Sequence, residues 1–212
     1  MSFHHKANQF LERMPAGTFD HVRESVTTAF GVAAGFKEKV EKIVADKRLS
    51  DTGHKEKIVD VLRGGPISHL KQLRRIAGER LKALEETRAK CQPVLDKSDM
   101  FAEVQRQEIR AWLRGMPEAE RLRVAYETPD RMVREAIAFA IPALSGLNDE
   151  AKAFVVSAMI QDAHGERLAE INHLSEIYEA ETLAIDEATA DLRRASGLEQ
   201  AAFSRVWETT AE

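Results

Sequence analysis

Apolar residues recur at helical spacing over one long stretch, residues 148–195, and the rest of the pattern is arranged around it. Asn148 is a favoured N-cap residue and two acids follow it, while two arginines and then Gly197 form a typical helix C-terminus. These signals predict a single long C-terminal helix. Gly165 is the candidate position for a kink, because glycine costs about 1 kcal/mol relative to alanine inside a helix.

The apolar positions within this helix follow a heptad pattern over about four repeats, as in a coiled coil, and Glu181 breaks it. The flanking positions are small or uncharged rather than the Glu and Lys that are typical of a dimeric coiled coil. A wide apolar face of this kind favours packing in a helical bundle over a two-stranded coiled coil. The residues expected to carry this packing or self-association are Ile171, Leu174, Tyr178, Ile185 and Leu192.

Shorter amphipathic segments fill the rest of the chain, separated by glycine, proline and capping residues. No alternating strand pattern persists, and a composition that is 43% hydrophobic with six prolines and two tyrosines favours helix. We therefore predict an all-α fold, an elongated helical bundle. The turn at residues 49–53 predicts a boundary between an N-terminal helical arm, residues 1–48, and a main bundle, residues 49–212, which ends in a short tail.

The predicted arm contains a helix that is expected to begin after the capping residue Thr18 and to run to about residue 47. Its centre, residues 25–36, carries no charge and holds Gly31 and Gly35, four residues apart. This spacing lets a neighbouring helix approach closely, so we expect a tight helix crossing or self-association there. Twelve residues span only about 18 Å as a helix. We therefore predict no stable membrane span and keep transient membrane contact as an alternative.

Charge is distributed unevenly although the net charge is only -4. Residues 54–90 hold ten basic and five acidic side chains, whereas residues 146–212 hold five and fourteen. Opposite charge favours packing of these segments on each other or association of separate chains. A basic stripe also suits phosphate, so nucleic-acid binding through residues 71–90 is the alternative function. The cations expected to make electrostatic contacts are Lys71, Arg74, Arg75, Arg80 and Lys82.

No constellation of catalytic or cofactor-binding residues is recognisable in the sequence. Glu170 and His173 have the Glu-x-x-His spacing of di-iron helical bundles, but the second copy of that motif is missing. We interpret the pair as a solvated, salt-bridging face. The histidines show no zinc-site spacing, and Cys91, the single cysteine, is expected to be a small buried residue. We therefore predict a non-enzymatic protein with no metal and no cofactor.

One part of the chain resembles a known family. The residues that carry the resemblance are Glu108-Ile109-Arg110, Leu113-Arg114, Glu120-Arg121, Ala136-Ile137, Ala140, Pro142 and Leu144-Ser145-Gly146-Leu147. Over about residues 49–195 the chain is similar to small helical structural or assembly proteins encoded near the capsid and scaffold genes of tailed bacteriophages. The resemblance implies a virion structural or assembly role, with self-association as a homo-oligomer and contact with capsid or other virion proteins. The N-terminus lacks the apolar core of a signal peptide, so we expect the virion or the host cytoplasm as the location.

Overall fold

The computed structural model describes residues 3–12, 14, 17 and 19–211, and every regular element in them is an α-helix. In chain order these are α1 (Phe3–Leu11), α2 (Asp20–Val44), α3 (Asp51–Arg63), α4 (Pro66–Ala89), α5 (Met100–Arg114), α6 (Glu118–Glu127), α7 (Arg131–Ala138), α8 (Pro142–Ser145), α9 (Asp149–Ser196) and α10 (Gln200–Thr209). The predicted all-α fold with one long C-terminal helix is confirmed.

Side-chain caps mark where several helices begin. Ser50 Oγ accepts a hydrogen bond from the backbone N–H of Gly53 at 3.2 Å at the start of α3. Asp99 and Asp130 cap α5 and α7 in the same way. These bonds satisfy amide groups that have no partner within the first helical turn. Thr18, the predicted N-cap of α2, lies outside the described residues.

The long helix α9 begins and ends where the sequence predicts. Asn148 Oδ1 accepts a hydrogen bond from the backbone N–H of Ala151 at 2.8 Å. Gly197 follows the last turn with φ of 65°, a left-handed conformation that glycine adopts without strain. The helical backbone is interrupted at His164, where φ is -140° and ψ is 19°. The kink therefore lies one residue before Gly165, its predicted position.

The chain folds into two compact units, and unit 1 contains Met1–Glu85 and Asn172–Glu212. The C-terminal half of α9 and α10 share a core there with α1, α2, α3 and α4. Because α2 and α9 contribute to this one core, the contacts divide the chain differently from the boundary at residues 48 and 49 predicted from the sequence. The core includes Val22, Val26, Phe30, Phe36, Leu62, Leu70, Ile185, Leu192 and Phe203.

Unit 2 contains Glu86–Ile171, and in it α5 packs on α7 and α8. Its buried core is small and includes two alanines, so it removes less apolar surface from water than the core of unit 1. The core residues are Leu113, Ala125, Ile137, Leu147, Ala151 and Val155.

Candidate interaction surface

The predicted seam of α9 packs mainly inside its own chain. Ile185 and Leu192 have no exposed surface, and Leu174 and Tyr178 are half-buried against the core of unit 1. Ile171 belongs to unit 2 and is also buried. The apolar surface of these residues is therefore largely used within one chain, as expected for a bundle helix.

Glu181, the break in the heptad pattern, is fully buried in the seam. Its Oε1 accepts a hydrogen bond from Arg80 Nη1 of α4 at 2.5 Å, and the same guanidinium lies 5.9 Å from the ring centroid of Tyr178. Glu181 Oε2 is buried and has no hydrogen-bond partner among the described residues. Because an unpaired buried carboxylate is strongly unfavourable, the pairing with Arg80 is what permits an acid at this position.

The basic face of α4 packs against acidic and carbonyl groups of unit 1. Arg74 forms an ion pair with Asp186 of α9, and Lys71 Nζ donates to the carbonyl oxygen of Thr210 at 2.7 Å. The two cationic groups lie 6.0 and 5.9 Å from the ring centroid of Trp207, within the range of cation–π attraction. The opposite charges seen in the sequence are thus used to pack one chain.

The two remaining cations of the predicted set are arranged differently. Arg75 pairs with Glu79 one turn along α4 at 2.7 Å, and Lys82 is exposed. Binding of phosphate by α4 needs cations that are not already engaged with carboxylates. The ion pairs within the chain therefore reduce the positive charge available to a nucleic acid.

A second ionic cluster joins α1 to α9 in unit 1. Lys6 Nζ donates to Glu187 Oε1 at 2.7 Å and to Asp191 Oδ1 at 2.8 Å, and Arg194 pairs with both acids. Burial lowers the pKa of Lys6, but its hydrogen bonds to the two carboxylates outweigh burial and raise that pKa overall. The hydrogen bond from Lys6 is the main cause of the lowered pKa of Glu187. These contacts hold the start of the predicted arm on α9.

Gly31 and Gly35 lie on the outer side of α2. A Cβ atom built on either glycine has no heavy atom within 4 Å. The core side of the helix is marked by Ala33 and Val26, about half a helical turn away from the glycines. The tight helix crossing predicted at the two glycines is therefore absent among the described residues.

Exposed large apolar side chains are concentrated in unit 2. Single exposed apolar residues are ordinary, but a concentration of them marks an interaction site. In unit 1 the structure exposes only Val44 and Leu183 of this kind among the residues it describes. In unit 2 it exposes Val94, Met100, Phe101, Val104, Trp112, Tyr126, Ile141, Leu144 and Phe154.

Helix α5 buries its charged side. Arg106 is 3% exposed and donates to Glu103 Oε2 at 3.0 Å and to Glu135 Oε2 at 3.3 Å. Arg110 is 7% exposed and donates to Glu103 Oε1 at 2.6 Å. The hydrogen bonds from both arginines lower the pKa of Glu103, and the bond from Arg110 contributes most. Charge-assisted pairs therefore share the buried side of α5 with Ala102 and Leu113, where an amphipathic helix normally buries apolar residues alone.

The exposed side of α5 carries large apolar residues beside the polar residues Gln107, Glu108 and Arg114. Phe101 is 73% exposed, Trp112 52% and Val104 51%. A cavity of about 540 Å³ in unit 2 has Met100, Ile141 and Leu144 on its wall together with the two arginines. Met100 of α5 therefore lines the same cavity as Ile141, which precedes α8, and Leu144 of α8. We call the set Met100, Phe101, Val104, Trp112, Ile141 and Leu144 the α5 surface.

The residues that carry the bacteriophage resemblance come together inside unit 2. Leu113, Ile137 and Leu147 belong to its core. The guanidinium of Arg121 lies against Gly146, whose φ of 72° is a left-handed conformation that favours glycine. These residues therefore form packing contacts of unit 2 rather than a site with reactive groups.

A second cavity in unit 2, of about 420 Å³, lies beside the kink of α9. Cys91 and His164 line it, and Cys91 is buried. Arg134 on its wall pairs with Asp162, and Glu135 accepts hydrogen bonds from the arginines of α5 and α7. The charged groups on this wall are thus engaged in ion pairs that hold α5, α7 and α9 of unit 2 together.

The described residues offer no group of three His, Cys, Asp or Glu placed to hold a metal ion. Nor does any helix in that part of the chain combine the length and apolar character needed to cross a membrane. Glu170 and His173 are exposed, and the His173 ring packs edge-on against Phe19 with centroids 6.0 Å apart.

The fold and its surfaces define an all-α protein with an exposed apolar surface on its second unit. Comparison of the chain with protein-family models, with curated proteins and with solved structures found no match.

Proposed function

We propose that the protein is a non-enzymatic structural or assembly component of a bacteriophage virion. It acts by associating with copies of itself and by contacting capsid components. The observation that carries this proposal is the α5 surface, the six large apolar side chains that unit 2 exposes on α5 and at the start of α8. Surfaces of this type are typical of proteins whose work is contact with other proteins.

The setting of a virion rests on the resemblance of residues 49–195 to helical proteins encoded beside phage capsid genes. In this chain the resembling residues frame the α5 surface. Arg114 of α5 donates to the carbonyl oxygen of Leu144, and Leu113 lies in the core directly beneath. A motif that builds the support for an exposed surface suits an assembly protein.

Nucleic-acid binding through residues 71–90 is the alternative function. It is the weaker candidate because Lys71, Arg74 and Arg80 already contact groups of unit 1. Phosphate contact predicts steep loss of binding as salt rises, and the chain has few unengaged cations on α4 to produce it.

The first experiment is the absolute mass of the purified full chain by light scattering at low and at high salt. An oligomer of defined size that persists at high salt is the expected result, because apolar contacts are not screened by ions. A monomer at every salt and concentration contradicts the self-association part of the proposal. Cosedimentation with purified capsid shells of tailed bacteriophages tests the second part.

A further inference from the structure

Two almost fully buried arginines line the cavity of about 540 Å³ in unit 2, which we call the α5 cavity. Arg106 is 3% exposed and Arg110 is 7% exposed. Arg106 donates through Nε to Glu103 and through Nη1 to Glu135, and Arg110 donates through Nη2 to Glu103. Every nitrogen of a guanidinium carries N–H donors. Nη2 of Arg106 and both Nε and Nη1 of Arg110 therefore have no acceptor among the described residues.

These unused nitrogens open into the cavity. In the described part of the chain, side-chain atoms that are fully buried and also lack a hydrogen-bond partner occur on Ser25, Arg121 and Glu181. The unused nitrogens of Arg106 and Arg110 are not among them, so each keeps some accessible surface. Both residues expose very little surface in total, and both lie on the wall of the α5 cavity. The cavity is therefore the space into which these N–H groups can donate.

The ion pairs of this wall leave one positive charge uncompensated. Glu103 and Glu135 are the carboxylates that hold the two buried arginines, but Glu135 also pairs with Arg131 at 2.8 Å. Three guanidinium groups thus share two carboxylates. The other charged residues of the wall are exposed, so that solvent screens them, and they are Asp96, Lys97 and Asp99. Both aspartates already accept hydrogen bonds from nearby backbone amide groups. An anion inside the cavity therefore completes the pairing of the buried arginines.

The rest of the wall is apolar. It consists of Leu95, Met100, Phe139, Ala140, Ile141 and Leu144. Sites for small molecules are typically concave and mainly apolar, with a few polar groups that converge on the ligand, and their volumes are roughly 300–1,000 Å³. The α5 cavity matches this description in size and in lining.

We infer that the α5 cavity binds a small monocarboxylate with an apolar body. The carboxylate oxygens accept hydrogen bonds from the unused N–H groups of Arg106 and Arg110, and the body packs on the apolar wall. Charge-assisted bonds from arginine to a carboxylate are among the strong hydrogen bonds of proteins. This site is separate from the proposed role in a virion, and it requires neither self-association nor a capsid partner.

Charge favours a carboxylate over a phosphate group. A monoanion matches the single positive charge that the ion pairs leave, whereas a phosphate dianion brings a second negative charge beside Glu103. A neutral amide of the same length keeps the apolar contacts but has no charge and a single acceptor oxygen. Carboxylic acids, their matched amides and inorganic phosphate therefore separate the contributions of charge, apolar contact and anion type.

The main test is isothermal titration calorimetry of the full chain with hexanoate and with benzoate, which differ in the shape of the apolar body. The expected result is one site per chain for at least one of these acids, with a dissociation constant in the millimolar range or below. Hexanamide, benzamide and inorganic phosphate are expected to bind at least about tenfold more weakly than that acid. Absence of binding by both acids overturns the inference, and so does equal binding of the matched amide or of phosphate.

Two matched arginine variants test the position of the site. Arg110→Lys keeps the positive charge but replaces the planar guanidinium by a single nitrogen, so the dissociation constant of the acid is expected to rise about tenfold or more. Arg123→Lys is the control, because Arg123 is exposed on α6 and does not line the cavity. Circular dichroism shows whether both variants are folded. An unchanged dissociation constant in a folded Arg110→Lys variant overturns the inference.

A change at the exposed part of the wall avoids disturbing the buried arginines. Ile141 is 63% exposed and lines the cavity, so Ile141→Asp is expected to fold while it places a carboxylate beside the bound acid. Repulsion between the two carboxylates is expected to weaken binding about tenfold or more. Leu183→Asp is the control, since Leu183 is 57% exposed and lies in unit 1. Equal affinity of Ile141→Asp and the wild-type chain contradicts binding in this cavity.

Proton–nitrogen correlation NMR of the arginine Nε–H groups observes the contact directly. The signal that is absent from Arg110→Lys identifies Nε of Arg110. Addition of the acid that binds in calorimetry is expected to shift this signal, because Nε gains an acceptor, and to leave the signal of Arg123 in place. If the acid binds while the Arg110 signal does not move, the binding site lies elsewhere and the inference fails.

Discussion

Unit 1 and unit 2 use the same kinds of side chain in opposite ways. In unit 1 the apolar faces of α2, α4 and α9 point into a common core, and most ion pairs lie around it. In unit 2 the core is small, arginines of α5 are buried, and large apolar side chains are exposed. The difference assigns stability mainly to the packing of unit 1, whereas the exposed side chains of unit 2 are where we propose contact with partners.

The seam of α9 and the α5 surface differ in how far the rest of the chain covers them, although both consist of apolar side chains. The seam is covered within the chain, so its residues contribute to folding. The residues of the α5 surface are exposed, whereas Arg106 and Arg110 of the same helix are buried in ion pairs with Glu103. Apolar residues on a helix therefore indicate association with a partner only when no other part of the same chain buries them.

The largest effect is expected from breaking the buried ion pair of unit 1. Arg80→Met leaves the Glu181 carboxylate buried without its cation and is expected to lower the free energy of unfolding by about 3–5 kcal/mol. The double variant with Arg80→Met and Glu181→Leu is expected to recover most of that loss. Urea unfolding measures both. A single variant as stable as the wild-type chain contradicts the role assigned to the pair.

The next effect concerns the apolar part of the same core. Leu192 is fully buried, so Leu192→Ala is expected to lower the free energy of unfolding by about 2–5 kcal/mol through lost burial and a cavity. Leu183 on the same helix is 57% exposed, and Leu183→Ala is expected to change the free energy of unfolding by less than about 0.5 kcal/mol. Similar losses in the two variants, measured by urea unfolding, would place the seam at the surface.

A smaller and pH-dependent effect is expected in unit 2. Folding lowers the pKa of Glu103 below its value of about 4.3 in the unfolded chain. The ionised carboxylate therefore stabilises the fold above that pH, and the stabilisation is lost as the pH falls through the pKa of the folded state. Glu103→Gln is therefore expected to be less stable than the wild-type chain at pH 7, with the difference narrowing below about pH 4. Urea unfolding at several pH values measures this. A constant difference contradicts the ion-pair explanation, and Glu108→Gln is the exposed control on α5.

The smallest effect on stability is expected at the α5 surface itself. Phe101→Ser removes an aromatic ring that is 73% exposed, so the free energy of unfolding of the monomer is expected to change by less than about 0.5 kcal/mol. Self-association is expected to weaken in the same variant. Thermal unfolding at low protein concentration and light scattering at high concentration separate the two. A strongly destabilised Phe101→Ser variant places that ring in the core of unit 2.

The helices could be predicted well because their signals are local. Asn148 and Gly197 mark the ends of α9 through capping chemistry, which depends on a few neighbouring residues. The kink was predicted to within one residue for a similar reason. The apolar period of α9 indicated a bundle helix, but it could not show which helices cover it, since that depends on contacts between distant segments.

The division into units and the α5 surface could not be predicted in this way. Residues 1–48 share a core with the end of the chain through contacts such as Lys6 with Asp191, and these are invisible to a local pattern. On α5 the spacing of Arg106 and Arg110 is that of a charged face exposed to solvent, but both arginines are buried in the structure. Alternation of arginines with aromatic residues on one helix is the signal that was available.

The buried pair of Arg80 and Glu181 also constrains how the sequence can change over generations. Losing Arg80 alone strands a carboxylate in the core, and losing Glu181 alone strands an arginine beside Tyr178. Each single step is unfavourable although the doubly apolar state is tolerated. We therefore expect related sequences either to keep both residues or to replace both. These two positions, 101 residues apart in the chain, are expected to co-vary.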